Sequence, residues 1–283
     1  MFAKNYMKPG PGVEKRDPNQ SRFSIFFEIF GEKFWDLIKL NLLYVLFSIP
    51  AFIITCIVTG FLSTSFLNPM IEAGLLAEDA IFSTYWSLNI LLAVCFNALW
   101  GLGPSTASLT YALRNIGREE HVWLWSDFKQ KIKENFKQSS GLWLLDLVLF
   151  VLIIFAYNFY ASMGGAVSYL RYILIFFIIV YTLLHLFVYQ LMITFKLPLK
   201  AIMKNALILS LAKAPKSVIL LIANALIHIV LPLIATLYIS PIAIVIYFIL
   251  EIVFLPVLSS FITNFAIYPT IEEYIKLAEE NKE

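Results

Sequence analysis

The sequence predicts an all-α, polytopic membrane protein with six transmembrane helices, cytoplasmic amphipathic elbow helices and both termini in the cytoplasm. Of the 283 residues, 60% are hydrophobic and 14% are charged, and the mean hydropathy is +0.80. A soluble domain carries about 25% charged residues. The chain therefore has too few polar side chains to cover a water-facing surface, and lipid is the expected solvent for most of it.

Six apolar runs are long enough to cross the hydrocarbon core, which takes about 20 residues as a helix. Helices and closed barrels are the structures that satisfy their own backbone hydrogen bonds in lipid. These runs are too continuously apolar for the alternating strands of a barrel. The predicted spans are residues 40–62, 86–112, 141–161, 167–194, 216–239 and 241–266.

The lysines and arginines alternate with respect to these spans. They cluster before the first span, between the second and third, between the fourth and fifth, and after the sixth, where Lys276 and Lys282 stand. The Glu72–Asp79 segment and the Ser240–Pro241 turn have none, and Arg171 is the one exception to the pattern. Because cytoplasmic loops carry an excess of Lys and Arg, both termini are predicted to be cytoplasmic.

Amphipathic segments precede the three outward spans. In the first, phenylalanines recur at helical spacing after Ser21, a suitable helix cap. The third covers Leu199–Leu211, and Pro215 then opens the fifth span at a favoured position. We interpret all three as elbow helices along the cytoplasmic leaflet.

The second amphipathic segment is the most basic. Its apolar and polar faces predict a surface that contacts anionic lipid or a cytoplasmic partner. The residues assigned to that surface are Trp123, Trp125, Lys129, Lys133 and Lys137.

The ends of the chain are predicted to lie outside the membrane. Residues 1–20 are expected to form a disordered cytoplasmic tail, followed by a six-helix transmembrane domain over residues 21–268. Thr270 and Glu273 have the spacing of a capping box, so residues 269–283 are expected to form a short cytoplasmic helix.

Ionisable groups inside predicted spans are costly and are functional candidates by default. Glu251 and His228 lie at similar depth in neighbouring spans, and Asn97 and His185 are the other members of a candidate midplane polar site. Such a site could bind a polar solute or relay protons. The alternative is a buried carboxylate that only fixes helix packing. Asp146 is expected nearer the interface, where it would snorkel or meet a nearby base.

A second candidate feature is a helix break in the second span, formed by Gly101, Gly103 and Pro104. Broken helices occur at transporter binding sites, and they also occur as plain packing kinks. No nucleophile elbow, phosphate loop or metal-ligand spacing is present, so neither a catalytic site nor a cofactor is expected. The basic segments flank spans and do not indicate nucleic-acid binding.

Several segments of the chain resemble a known family. They are Asn41–Pro50, Gly103–Asn115, Arg118–Glu120, Trp125–Phe128, Lys133–Gln138, Leu197–Lys200 and Lys204–Leu207. On these segments the chain is similar to the YesL family of bacterial integral membrane proteins. The resemblance implies a bacterial cell-membrane location and a role accessory to carbohydrate transport. Sugar-transporter subunits or a sensor kinase are the implied partners. In the usual family pattern the Asn41–Pro50 segment leads almost directly to the Gly-Pro block, whereas here residues 51–101 intervene.

Three functions are therefore considered from the sequence. The first is a membrane protein accessory to ABC-type carbohydrate transport or its sensing. The second is an autonomous solute or proton-coupled transporter with its site around Glu251. The third and least favoured is a membrane enzyme, because no convergent acid–base set is readable.

Overall fold

The protein is described by a computed structural model over residues 20–238 and 241–280. The predicted tail before residue 20, Ser240 and Lys282 lie outside the described residues. Every regular element within the described ranges is helical. The helices are α1 (Arg22–Glu32), α2 (Phe34–Glu72), α3 (Glu78–Trp100), α4 (Pro104–Gly117), α5 (Leu124–Ser162), α6 (Leu170–Thr194), α7 (Leu199–Ala212), α8 (Ala214–Ala225), α9 (Leu231–Tyr238), α10 (Pro241–Val253) and α11 (Leu255–Glu280).

The all-α, polytopic membrane class is confirmed. Five helical segments are long and apolar enough to cross a membrane: α2, α3, α5, α6 with its preceding turn, and α8 with its continuation to Ile234. Among the described residues, the pair α10–α11, bent by 51°, makes a sixth when the two helices are counted as one broken span. Along α2, Ile53 and Phe61 are exposed, whereas Thr59 and Ser63 are fully buried. Apolar residues outside and polar residues inside are what a lipid solvent requires.

The elbow regions differ in part from the prediction. Helix α1 is separate, and its cap Ser21 accepts a hydrogen bond from the Ser24 amide at 3.2 Å. Helix α7 is also separate, and Pro215 lies in the first turn of α8. The second basic segment is not a separate helix, because α5 continues unbroken from Leu124 into the predicted third span. Gly141 is the one potential helix breaker inside that stretch, and it stays helical.

The loop between the first two spans is shorter than the gap between the predicted spans 40–62 and 86–112. Glu72 is the last residue of α2, and Glu78 and Asp79 occupy the first turn of α3. Only residues 73–77 connect the two helices. Carboxylates in a first turn interact favourably with the positive end of the helix dipole, which explains why Glu78 and Asp79 are part of α3.

The predicted second span, residues 86–112, is two helices. Helix α3 ends at Trp100, and Gly101 and Gly103 follow with φ of +80° and +64°. Pro104 then starts α4, where its missing N–H costs nothing. A side chain at residue 101 would lie 2.6 Å from the Thr106 hydroxyl, so this turn requires glycine for both conformation and space.

The bend between α10 and α11 is held by Asn41 of α2. Pro256 has no N–H to offer the Ile252 carbonyl, and Asn41 Nδ2 donates to that oxygen at 2.7 Å. The Val257 amide donates to Asn41 Oδ1 at 2.9 Å. One fully buried amide therefore satisfies both backbone groups that the bend exposes.

A second proline in α11 is accommodated in the same way. Pro269 frees the Phe265 carbonyl, which accepts a hydrogen bond at 2.9 Å from Arg22 Nη2 of α1. The Arg22 guanidinium also lies 4.9 Å from the centre of the Phe265 ring. Helix α11 therefore continues through Pro269, and Thr270 is buried within it instead of capping a separate C-terminal helix.

The fifth span contains a π-helical turn, Leu226–Val230, between α8 and α9. Pro232 follows this turn and cannot donate to the His228 carbonyl four residues earlier. The Leu231 amide instead reaches the Leu226 carbonyl, five residues back. The extra residue in the turn changes the direction in which His228 projects, and His228 is buried.

The two hydrogen bonds between Asn41 and the α10–α11 bend give a prediction for stability. Replacing Asn41 with Leu leaves two buried backbone groups unpaired, at about 1–3 kcal/mol each. We expect Asn41→Leu to lower the free energy of unfolding by about 2–6 kcal/mol. Denaturant titration of the protein in detergent micelles, followed by tryptophan fluorescence, measures the loss.

The matched control is Leu42→Ala, which changes a half-exposed, lipid-facing residue one position along the same helix. Its effect is expected to be much smaller. Equal destabilisation by the two variants would show that Asn41 does not hold the bend.

Candidate functional site

The three interrupted spans meet at one buried polar cavity. One residue from each interruption lines the cavity: Gly101 from the α3–α4 break, His228 from the π-helical turn and Pro256 from the α10–α11 bend. The cavity has a volume of about 90 Å³. The other polar side chains that line it are Tyr44, Asn97, Thr106, Thr110, His185, Tyr189, Gln190, Asn224, Ser259, Ser260, Thr263 and Asn264.

Amides and hydroxyls dominate this lining, and they bond across helices. Gln190 of α6 donates a short hydrogen bond to Asn264 of α11. Asn224 of α8 donates to the Thr263 hydroxyl at 3.0 Å. Within the described residues, Gln190 Oε1 is buried with no hydrogen-bond partner. Uncharged donors and acceptors of this kind suit a neutral, hydroxyl-rich solute or ordered water.

Glu251 and His228, both predicted for the midplane site, do meet. His228 Nδ1 lies 3.1 Å from Glu251 Oε1, and His228 Nε2 lies 2.8 Å from the Ser259 hydroxyl. Ser259 donates its own proton to the Pro256 carbonyl, so it accepts from Nε2–H. One proton therefore lies between His228 Nδ1 and Glu251, giving either an ion pair or a neutral pair.

The other two predicted members lie on the same cavity but bond elsewhere. Asn97 Oδ1 accepts a hydrogen bond of 2.6 Å from the Tyr44 hydroxyl. Asn97 is not hydrogen-bonded to Glu251 or to His228. His185 lies on the far wall, where its Nε2 is 3.1 Å from Asp146 Oδ1. Three of the four predicted residues, Asn97, His185 and His228, therefore line the cavity. Each histidine is paired with a carboxyl group outside the lining, His228 with Glu251 and His185 with Asp146.

Asp146 meets a base, which is one of the two alternatives expected for it, but it does so in the protein interior. It is fully buried, and its Oδ1 accepts a 2.6 Å hydrogen bond from the Tyr181 hydroxyl in addition to the His185 contact. It does not snorkel, because α6 provides both partners at the same depth. Asp146 Oδ2 and His185 Nδ1 are buried without hydrogen-bond partners among the described residues.

Two features were not identified from the sequence, and a local sequence signal exists for only the first of them. Tyr181, His185 and Tyr189 follow one another at intervals of four, which places them on a single face of α6. Asn41 is an isolated amide at the start of a span. Only the three-dimensional fold shows that it bonds to the backbone groups freed at Pro256. The sequence signal for the first feature was the set of polar residues at helical spacing on α6.

The predicted cytoplasmic surface is exposed. Trp123 and Trp125 have 68% and 56% of their surface accessible. Lys129, Lys133 and Lys137 are exposed and form a stripe at intervals of four along α5. Asp127 accepts a 2.9 Å hydrogen bond from the Trp123 amide and so closes the start of the helix.

Comparison with known proteins gives one match. The model of a family described as "Protein of unknown function, DUF624" matches residues 37–159, from α2 to most of α5. The matched range includes the 51–101 segment, the helix break and the basic face of α5. No curated protein and no solved structure matches the chain. Within the described residues, no group of three or more His, Cys, Asp and Glu side chains could hold a metal ion.

The Asp146–His185 pair gives a prediction for stability. Removing one partner of a buried ion pair costs about 3–5 kcal/mol, whereas replacing both with apolar residues is often neutral. We expect His185→Leu to be strongly destabilising and the double variant Asp146→Leu/His185→Leu to recover most of the loss. Denaturant unfolding of the single and double variants measures the coupling between them.

An exposed pair provides the control. Lys213 and Glu273 lie 3.1 Å apart at the surface, and Glu273→Gln should change stability by less than about 1 kcal/mol. Additive effects of the Asp146 and His185 substitutions would contradict a coupled buried pair.

Proposed function

We propose that the protein is a proton-coupled carrier of a small, neutral, hydroxyl-rich solute in the cell membrane. The observation that carries this proposal is the convergence of three interrupted spans on one buried polar cavity. Irregular backbone at membrane depth is tolerated where it is buried in protein or lines a water-filled space. Transporters commonly build midplane binding sites from discontinuous helices.

The cavity size and lining support a small polar solute. At about 90 Å³ it exceeds the ~10–15 Å³ that a single ordered water requires. It lies well below the ~300–1,000 Å³ of sites for drug-sized ligands. The amides of Asn97, Gln190 and Asn264 and the neighbouring hydroxyls offer both donors and acceptors, as a polyol requires.

The His228–Glu251 pair supports proton coupling. His228 lines the cavity, whereas Glu251 lies behind it, so a proton taken up by the imidazole can pass to the carboxyl over 3.1 Å. A change in charge on this pair would alter the polarity of the cavity wall that a solute contacts.

A role accessory to carbohydrate transport is the second candidate. It is supported by the resemblance to the YesL family and by the exposed tryptophans and lysine stripe at the start of α5. That face could dock against a transporter subunit or lie on anionic lipid. In this role the cavity would sense a solute instead of moving it.

Uptake by purified, reconstituted protein tests the carrier proposal. Liposomes are loaded at neutral pH, diluted into acidic buffer and supplied with labelled polyols of increasing size, starting from glycerol. We expect uptake of at least one polyol above that of protein-free liposomes, with stimulation by the pH gradient. Glu251→Gln should lose the stimulation because its side chain cannot exchange a proton.

Glu120→Gln is the matched control, since Glu120 pairs with Arg118 at the surface, away from the cavity. It should behave as wild type. Equal gradient-driven uptake by wild type and Glu251→Gln would remove Glu251 from the mechanism. Absence of uptake for the whole polyol series would reject the carrier and leave the accessory role.

A further inference from the structure

Three helices leave the polar cavity in the same direction. Helices α4, α6 and α11 pack against one another, and each contributes to the cavity lining, with Thr110, Gln190 and Asn264 respectively. Beyond these residues all three helices run toward the side that is rich in lysine and arginine. The charge pattern predicts this side to be cytoplasmic. We call it the basic side.

The next turn of each helix carries Arg114, Thr194 or Tyr268. Four helical residues rise about 6 Å, so these side chains occupy the layer directly below the cavity. Arg114 Nη1 donates to the Thr194 hydroxyl at 3.1 Å, and that hydroxyl donates to the Gln190 carbonyl at 2.7 Å. Gln190 in turn donates to Asn264. A continuous chain of hydrogen bonds therefore links Arg114 to the cavity lining across three helices.

A small pocket lies in this layer. Its volume is about 10 Å³, and Arg22, Arg114 and Tyr268 are among the residues that line it. Asn264 lines both this pocket and the cavity, so the two spaces adjoin at its side chain. An ordered water needs about 10–15 Å³, so the pocket is no wider than one water. A route from the cavity to the basic side through this layer therefore passes a constriction beside Arg114.

The constriction is positively charged. Arg22 and Arg114 both line it, and none of the described residues that line it is acidic. Among the described residues, neither arginine forms an ion pair with a carboxylate. Arginine stays protonated in proteins, so these charges are permanent. A fixed arginine charge in a narrow passage repels cations and protons, as it does in selective membrane pores.

We propose that Arg114 is the selectivity barrier between the polar cavity and the basic side. Bonded to Thr194, its side chain blocks the passage of anything larger than a water, and its charge disfavours the passage of cations. A solute leaves toward the basic side only when Arg114 releases Thr194. A proton held on His228 does not leak through the closed layer, which proton coupling requires.

This barrier deepens the carrier proposed above and rests on it, because a barrier serves a cavity that takes up a solute. Its test needs no transported solute. Thiol labelling from the basic side measures the barrier directly. In a chain with Cys56→Ala and Cys95→Ala, Ser260→Cys supplies a reporter at a half-buried position of the cavity lining.

Inside-out membrane vesicles present the predicted cytoplasmic side to the reagent. Labelling of Lys133→Cys, at an exposed position of α5, confirms the orientation. The reporter is treated with a methanethiosulfonate that carries either a sulfonate or a trimethylammonium group, neither of which crosses the bilayer. Each rate is divided by the rate of the same reagent with free cysteine.

Loss of the barrier should speed labelling of the reporter. We expect Arg114→Ala to raise both normalised rates about tenfold, the change that loss of about 1.4 kcal/mol produces. The ratio of the anionic to the cationic rate should fall several-fold, because the charge is lost. Arg114→Lys keeps the charge without the planar guanidinium, so it should retain the ratio of the native chain.

Arg118→Gln is the matched control. It removes the same charge one turn further from the cavity, where Arg118 pairs with Glu120 at 2.8 Å. It should change neither the rates nor their ratio. Arg114→Gln is measured beside Arg114→Ala so that a folding defect in one variant leaves the test intact.

Two results would overturn the proposal. The first is unchanged labelling in folded Arg114→Ala and Arg114→Gln. The second is faster labelling with an unchanged ratio of the two rates, which would limit Arg114 to packing. Failure of polyol uptake together with Arg114-dependent, charge-selective labelling would reject the carrier and keep the barrier, and the opposite pair of results would do the reverse.

Discussion

The structure depends on the requirement that every backbone polar group away from water must find a partner. Pro256, Pro232 and the Gly101–Gly103 turn each interrupt a span and free backbone groups that the helix cannot satisfy. Asn41 meets those at Pro256, a wider π-helical turn accommodates Pro232, and Thr106 receives the Leu102 amide at 2.7 Å. Asn41 lies outside the cavity, but Thr106, His228 and Ser259, which also lie at these interruptions, line it. The interrupted spans and the candidate site are therefore closely linked.

Two buried acid–histidine pairs give this cavity its chemical character. His228 with Glu251 and His185 with Asp146 belong to different helix pairs, and each histidine faces the cavity while its carboxyl group lies behind it. A carboxyl group that bonds to one ring nitrogen fixes the orientation of the imidazole. The arrangement gives the cavity two groups that can hold a proton, one on α6 and one in the fifth span, on either side of the amide-rich centre.

Much of the fold was predictable because lipid imposes simple rules. Composition and run length were sufficient for the all-α membrane class, and the tight turn between the last two spans was sufficient to bring Glu251 and His228 together. The joining of the basic segment to α5, the burial of Asp146 and the continuation of α11 through Pro269 were not predictable from local pattern. Each depends on a distant partner: Tyr181 and His185 hold Asp146, and Arg22 takes the carbonyl that Pro269 frees.

The central claim is that Glu251 exchanges protons with water through the cavity, and infrared difference spectroscopy on pH change tests it most directly. Membranes containing wild type, Glu251→Gln and Asp146→Asn are compared as the bulk pH is lowered. A carboxylic acid C=O component should grow in wild type and Asp146→Asn that is missing from Glu251→Gln, while the bands of the remaining carboxyl groups are common to all three proteins. A spectrum with no Glu251-dependent band over the whole pH range in which the protein remains folded would show a sealed, structural pair and contradict the claim.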